Sequence, residues 1–127
     1  MSRKSKGLNA ERELIHLFWK NEWSACRVAG SGSIKYPSPD VIAGKQNRKI
    51  VIECKSTKDE SKYLTIDEVE QLKEFANIFG AEPWIGVKFS SKWWFFNLED
   101  LRKTKNSYTI NSKDAVNKGL LFDDMIK

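Results

Sequence analysis

Histidine, cysteine and long apolar runs are all scarce in this chain, and each shortage removes a class of function. One histidine, His16, stands in 127 residues. No Ser-His-Asp or Cys-His arrangement accompanies it, which argues against the common nucleophilic mechanisms. The two cysteines, Cys26 and Cys54, both lie in apolar, strand-like runs. That placement speaks against a disulfide framework or a zinc site and points to a reducing cytoplasm. No stretch approaches the ~18–20 apolar residues of a membrane span. The basic Met1–Lys6 leads into an amphipathic segment rather than the apolar block of a signal peptide. Repeats, low-complexity tracts and a domain boundary are also missing, so residues 1–127 read as a single domain able to bury a real core.

What is present is ordinary in bulk and unusual in detail. Hydrophobic residues make up 40% and charged residues 31%, and the net charge of +5 gives a pI near 9.2, which suits a polyanionic partner as well as it suits solubility. Residues 1–7 form a flexible, basic lead-in. Asn9 reads as an N-cap, with Glu11 and Glu13 in the first turn of a helix running to about Asn21. Its inward stripe holds Leu14, Ile15 and Phe18, and Glu11 shares that face by its spacing of three, four and seven. Ser24–Ala29 reads as a strand, the glycine- and proline-bearing segment 30–39 as a loop, and Asp40–Ala43 as a short strand.

The run Ile50–Cys54 is a β-branched core strand, yet it carries Glu53 and then Lys55. Residues i and i+2 of a strand leave from one face, so an acid and a base share it. Buried charge costs several kcal/mol unless paired or liganded. If the connection Gly44–Asn47 turns between Gln46 and Asn47, paired positions sum to 93 and Asp40 falls opposite Glu53 on the same face. A one-residue shift would separate them.

Ser56–Leu64 reads as a polar loop. Thr65-Ile66-Asp67-Glu68 fits a capping box that opens a helix to Phe79, ended by Gly80. The apolar residues of this helix cover roughly 240° of its circumference, where a helix lying on one sheet needs nearer ~100°. Either a second partner covers the excess or the helix is sunk deeply in its own core. Trp84–Phe89 and Lys92–Leu98 read as strands. The aromatics Trp93–Phe96 in the second are core packing rather than a base-stacking platform, because they do not alternate with polar residues. A helical turn at Leu98–Arg102, an edge strand at Ser107–Ile110 and weak helix around Phe122–Ile126 complete the chain.

Glu11, Asp40 and Glu53 therefore point inward with Lys55. Carboxylate oxygens suit hard divalent cations such as Mg²⁺ or Mn²⁺, which polarise a phosphoryl oxygen and acidify bound water. Lys55 beside them orients the attacking water and offsets developing charge. An ion pair of Glu53 with Lys55, with Arg12 and Arg27 meeting the other acids, is the plain alternative.

Pro39-Asp40, twelve residues, then Glu53-Cys54-Lys55 resembles the PD-(D/E)xK nuclease motif. Around it, Lys6-Gly7, Ala10-Glu11-Arg12-Glu13, Arg27, Ser31-Gly32-Ser33, Ser56, Phe75-Ala76 and Phe79-Gly80 resemble the archaeal Holliday junction resolvase family over roughly residues 6–110. The resemblance implies an α/β, restriction-endonuclease-like fold with a central mixed sheet of about five strands flanked by helices. It also implies a homodimeric, Mg²⁺-dependent endonuclease (Mn²⁺ substituting) that nicks opposed strands of four-way DNA junctions, with no membrane and no small-molecule cofactor. By it, Glu11, Asp40 and Glu53 are metal ligands, Lys55 is the catalytic lysine and Ser31 assists catalysis. Arg12 and Arg27 contact DNA, and Phe75 and Phe79 belong to the dimer interface. Arg3, Lys4, Lys6, Lys35 and Lys58 are further phosphate contacts by charge. The competing expectations are a restriction-like or repair endonuclease acting on duplex DNA, and a non-catalytic DNA-binding dimer.

Overall fold

The computed structural model describes residues 3–29 and 35–127, the first four of them by backbone alone. Helix α1 runs from Arg3 to Lys20. It begins six residues before the Asn9 cap that the sequence proposes, so the backbone of Arg3–Gly7 is helical. Arg and Lys are good helix formers, and a single Gly costs about 1 kcal/mol, which extension of an already nucleated helix tolerates. The inward stripe holds: Leu14 and Phe18 are fully buried.

Strands β1 (Ser24–Arg27), β2 (Val41–Lys45) and β3 (Arg48–Thr57) follow as an antiparallel meander. After β4 (Ser61–Thr65), helix α2 (Ile66–Phe79) crosses over to β5 (Glu82–Phe89), which pairs with β3 in parallel and with β6 (Lys92–Phe96) antiparallel. The result is a mixed five-stranded sheet of order β1-β2-β3-β5-β6. A 3-10 turn at Leu98–Asp100, β7 (Arg102–Lys103), β8 (Ser107–Asn111), α3 (Ser112–Lys118) and α4 (Phe122–Met125) complete the chain.

Helix α2 forms where the capping chemistry places it. The Thr65 hydroxyl accepts from Glu68 N–H, the Glu68 carboxylate accepts from Thr65 N–H, and Gly80 closes the helix in the left-handed region at φ 82°. Three elements went unseen in the sequence, the short β7 at Arg102–Lys103 among them, where the sequence reading ends a helical turn. Ser61–Thr65 is a strand rather than loop, and residues 112–118 form a helix. In β4 only Leu64 is buried, so no apolar run announces it. Ser107–Asn111 is also not an edge strand, because it lies between β4 and β7 in a second, three-stranded sheet.

The main sheet separates two apolar layers. Ile50 and Ile52 of β3 pack with Leu14, Phe18 and Phe122 on one face. Val51 packs with Val69, Leu72 and Ala76 of α2 on the other. The aromatic run of β6 feeds both layers, Phe95 into the first and Phe96 into the second, which confirms core packing. Each such ring removed from water contributes roughly 2–3 kcal/mol. Gly86 makes room for this packing, since a Cβ there would stand 2.9 Å from the Phe95 ring. Among the described residues no helix is long and apolar enough to cross a membrane.

Candidate active site

The β2–β3 hairpin sets the site. Its partners run Lys45↔Arg48, Gly44↔Lys49, Ala43↔Ile50, Ile42↔Val51 and Val41↔Ile52, each pair summing to 93. The turn is the two residues Gln46 and Asn47, with Gln46 at φ 51°. One step further along the same register, Asp40 faces Glu53. There the two strands part. Asp40 N–H donates to Ile52 O at 3.0 Å. Its Oδ2 accepts from Cys54 N–H at 2.8 Å, so the carboxylate takes the place of a ladder carbonyl just where β2 ends.

Glu53 stands beside Asp40 with its side chain 17% exposed. Burial, then the neighbouring Asp40 charge, pushes its pKa from an ordinary 4.5 up to about 9, although the Lys55 ammonium pulls the other way. Glu53 in this desolvated corner keeps its proton unless a cation offsets its ionised form. Glu11 reaches the same corner from α1. Its pKa is raised by burial and then by Asp40, against a hydrogen bond and ion pair from Arg27 Nε at 3.1 Å. Asp40 is thus the carboxylate common to both neighbours. Among the described residues no three carboxylate, imidazole or thiol groups stand close enough to form a ready-made metal cage.

Lys55 projects from the same face of β3 as Glu53, with Nζ 3.9 Å from Glu53 Oε1. Its closer partner is one the sequence did not assign to the site: Nζ donates to Glu68 Oε2 on the first turn of α2. Burial disfavours the ammonium, but Glu68, Glu53 and Asp40 together outweigh that effect and raise its pKa. Lys55 is therefore a cation and hydrogen-bond donor near neutral pH, not a proton acceptor. No local pattern marks Glu68, but the fold accounts for it. Lys55 shares its strand face with Val51, and a crossover helix covers that face, so an acid in the first turn of that helix is a natural partner. Cys54, between Glu53 and Lys55, packs toward the α1 layer; burial, with the surrounding acids, holds its thiol well above the usual range. Both cysteines are free.

Of the other residues singled out, Arg27 joins the cluster through Glu11, while Arg12 and Lys35 are exposed. Arg3, Lys4 and Lys6 lie on the first turns of α1, known here by backbone alone, and Ser31 lies outside the described residues. Phe75 and Phe79 lie side by side along α2, their rings tilted by 37° with centroids 5.4 Å apart. The excess apolar arc of α2 is not sunk in the core: Ile78 is 82% and Phe79 45% exposed.

The shifted acids have a consequence for stability. Glu53 and Glu11 hold protons in the folded chain at pH values where the unfolded chain has released them, so stability falls as pH rises above about 4.5 towards about 9. Over that window the depressed Glu68 and Glu82 and the raised Lys55 contribute a nearly constant term. In metal-free buffer the melting temperature should therefore decline between pH 5 and pH 9, by a few kcal/mol of stability at most, and Glu53→Gln should flatten the decline. A melting temperature that climbs over this range would contradict the assignment.

A mixed five-stranded sheet flanked by helices, with paired acids and a lysine where β2 leaves β3, is the restriction-endonuclease-like architecture. The family model described as archaeal Holliday junction resolvase (Hjc) matches residues 2–127. The chain belongs to that family. It is 43% identical over 109 residues to the crossover junction endodeoxyribonuclease Hjc of Archaeoglobus fulgidus, covering 85% of this chain and 80% of that one. With the Hjc of Sulfolobus acidocaldarius it shares 33% identity over 129 aligned positions, covering 100% of this chain and 90% of the relative. The solved structure of A. fulgidus Hjc, a Holliday junction resolvase from an archaeal hyperthermophile, superposes with a TM-score of 0.88 at 36% identity. That superposition covers 95% of this chain and all of the other.

Proposed function

We propose that this chain is a structure-selective endonuclease that resolves four-way DNA junctions, working in the cytoplasm as a Mg²⁺-dependent homodimer. The observation that carries the reading is the Asp40–Glu53 contact, with Glu53 pushed up to about 9. A glutamate this costly to ionise, set against a second carboxyl, suits a divalent cation, for which hard oxygen donors are the right chemistry. Asp40 and Glu53 are the pair proposed to hold Mg²⁺, with Glu11, beside Asp40, as the third carboxylate. When bound, the ion polarises the scissile phosphate and makes an attacking hydroxide accessible at neutral pH.

The chain's own groups do the rest. The Asp40 carboxylate is oriented by Cys54 N–H, so one oxygen has a fixed direction. Lys55, kept charged by its acidic neighbours, donates to the attacking water or a phosphate oxygen and offsets charge that grows in the transition state. Arg27 steadies Glu11 and adds positive charge at the site. Paired cuts on a junction with approximate two-fold symmetry require two sites related by the same axis. The exposed Ile78 and Phe79 surface of α2, with Phe75 beside it, is the proposed contact between two copies. Substrate contact is to phosphates and junction shape, so binding weakens steeply with salt.

The test compares a synthetic four-way junction with linear duplex of the same sequence. Cleavage of the junction alone is expected, dependent on Mg²⁺ and stopped by EDTA, with junction binding surviving metal removal. Equal cutting of both substrates would favour a duplex-directed endonuclease instead.

A further inference from the structure

We propose that Glu68 is a positioning residue for Lys55, holding its ammonium away from the Asp40–Glu53 pair so that those carboxylates stay available. The inference rests on the proposed nuclease activity and deepens it. Glu68 is bound at both ends of its carboxylate. Oε1 accepts from Thr65 N–H at 3.0 Å, and Oε2 accepts from Lys55 Nζ. Its own N–H donates to Thr65 Oγ1 at 3.0 Å, so backbone and side chain are pinned together. The contact is half-sheltered, the Lys55 and Glu68 side chains being 22% and 30% exposed, so solvent screens it less than a surface pair.

Lysine is a compact charge on a long flexible stem, and it goes to the nearest anion available. Without Glu68 the nearest carboxyl is Glu53, already 3.9 Å away, and a closer ammonium would favour its ionised form. Collapse of Lys55 onto Glu53 tightens the loose 3.9 Å ion pair the structure already holds, and it places an ammonium where the proposed cation belongs. Glu68 competes for the lysine from a helix that packs on the same face of the sheet. The capping box is common and structural, so the two roles of Glu68 must be separated.

Two substitutions separate them. Glu68→Gln keeps an acceptor for Thr65 N–H, because Gln also completes a capping box, but it removes the charge that holds Lys55. Thr65→Ala weakens the cap and leaves the carboxylate. For Glu68→Gln the expected result is a melting temperature within a few degrees of the parent and unchanged junction affinity without metal. Its single-turnover rate on bound junction should fall roughly tenfold to a hundredfold, the cost of a misplaced catalytic group, with a higher Mg²⁺ concentration for half-maximal rate. Thr65→Ala should show the reverse, with lower stability and a near-parental rate. Independently of activity, the Lys55 side-chain ammonium should give a slowly exchanging ¹⁵N resonance in the metal-free parent. That resonance should shift or broaden in Glu68→Gln and persist in Thr65→Ala. A Glu68→Gln variant with parental rate, Mg²⁺ dependence and Lys55 resonance overturns the proposal. A parent chain that cleaves no junction overturns the nuclease reading itself, and is seen before any variant is made.

Discussion

Asp40→Asn and Glu53→Gln should each slow junction cleavage roughly a thousandfold or more, about 4 kcal/mol of barrier, while leaving junction binding nearly intact. Both changes keep the shape of the side chain. The amide introduced by Asp40→Asn retains an oxygen to accept from Cys54 N–H, so the parting of β2 from β3 survives. What each removes is one carboxyl of the Asp40–Glu53 pair, which Glu11 meets only through Asp40. The effect on folding should have the opposite sign. Glu53→Gln replaces a carboxyl that burial, and then Asp40, force to stay protonated in the folded chain, so in metal-free buffer near pH 8 the variant should be more stable than the parent by roughly 1–3 kcal/mol. A change that gains stability and loses activity identifies a strained functional group rather than a structural one. Persistent Mg²⁺-dependent cutting by either variant would sink the site assignment.

The second large effect concerns α2. Phe79→Asp should convert the proposed dimer to a monomer without unfolding it. Phe79 is 45% exposed, and the residues that hold α2 to the sheet are Val69, Leu72 and Ala76 on its other side. Under two-fold symmetry one substitution places two carboxylates in the same apolar contact, and each costs several kcal/mol to desolvate. Weakening of association by at least ~10³-fold is expected, read as a halved mass in sedimentation. A monomer should nick one strand at a time, so linear product pairs give way to singly nicked junctions. An unchanged sedimentation profile would remove Phe79 from the interface.

The parts of this architecture legible in the sequence are those written locally. The hairpin register follows from a two-residue turn between two apolar runs, and it places Asp40 against Glu53 without any knowledge of the rest of the chain. The limits of α2 are spelled by Thr65, Glu68 and Gly80. Glu11 is legible by its spacing from Leu14 and Phe18. What stayed hidden depends on distance along the chain. Glu68 meets Lys55 only because a crossover helix packs on β3, and no local pattern encodes that meeting. β4 is polar and gains its identity from β8, forty-odd residues on. The early start of α1 opposes a local cue, since Asn9 offers cap chemistry that the helix passes over.

The two-residue turn at Gln46 and Asn47 also governs how this protein can change over generations. The twelve residues between Asp40 and Glu53 act as a ruler with a fixed number of marks. The exposed turn residues can be exchanged for others that tolerate the left-handed backbone at Gln46, but adding or deleting one turns Asp40 to the opposite side of the sheet from Glu53. The connection Lys58–Glu60 is under no such rule, because its length does not enter the pairing of β2 with β3. Descendants of this chain are therefore free to vary the spelling of the hairpin and the length of the next connection, while the residue count of the hairpin itself is held constant.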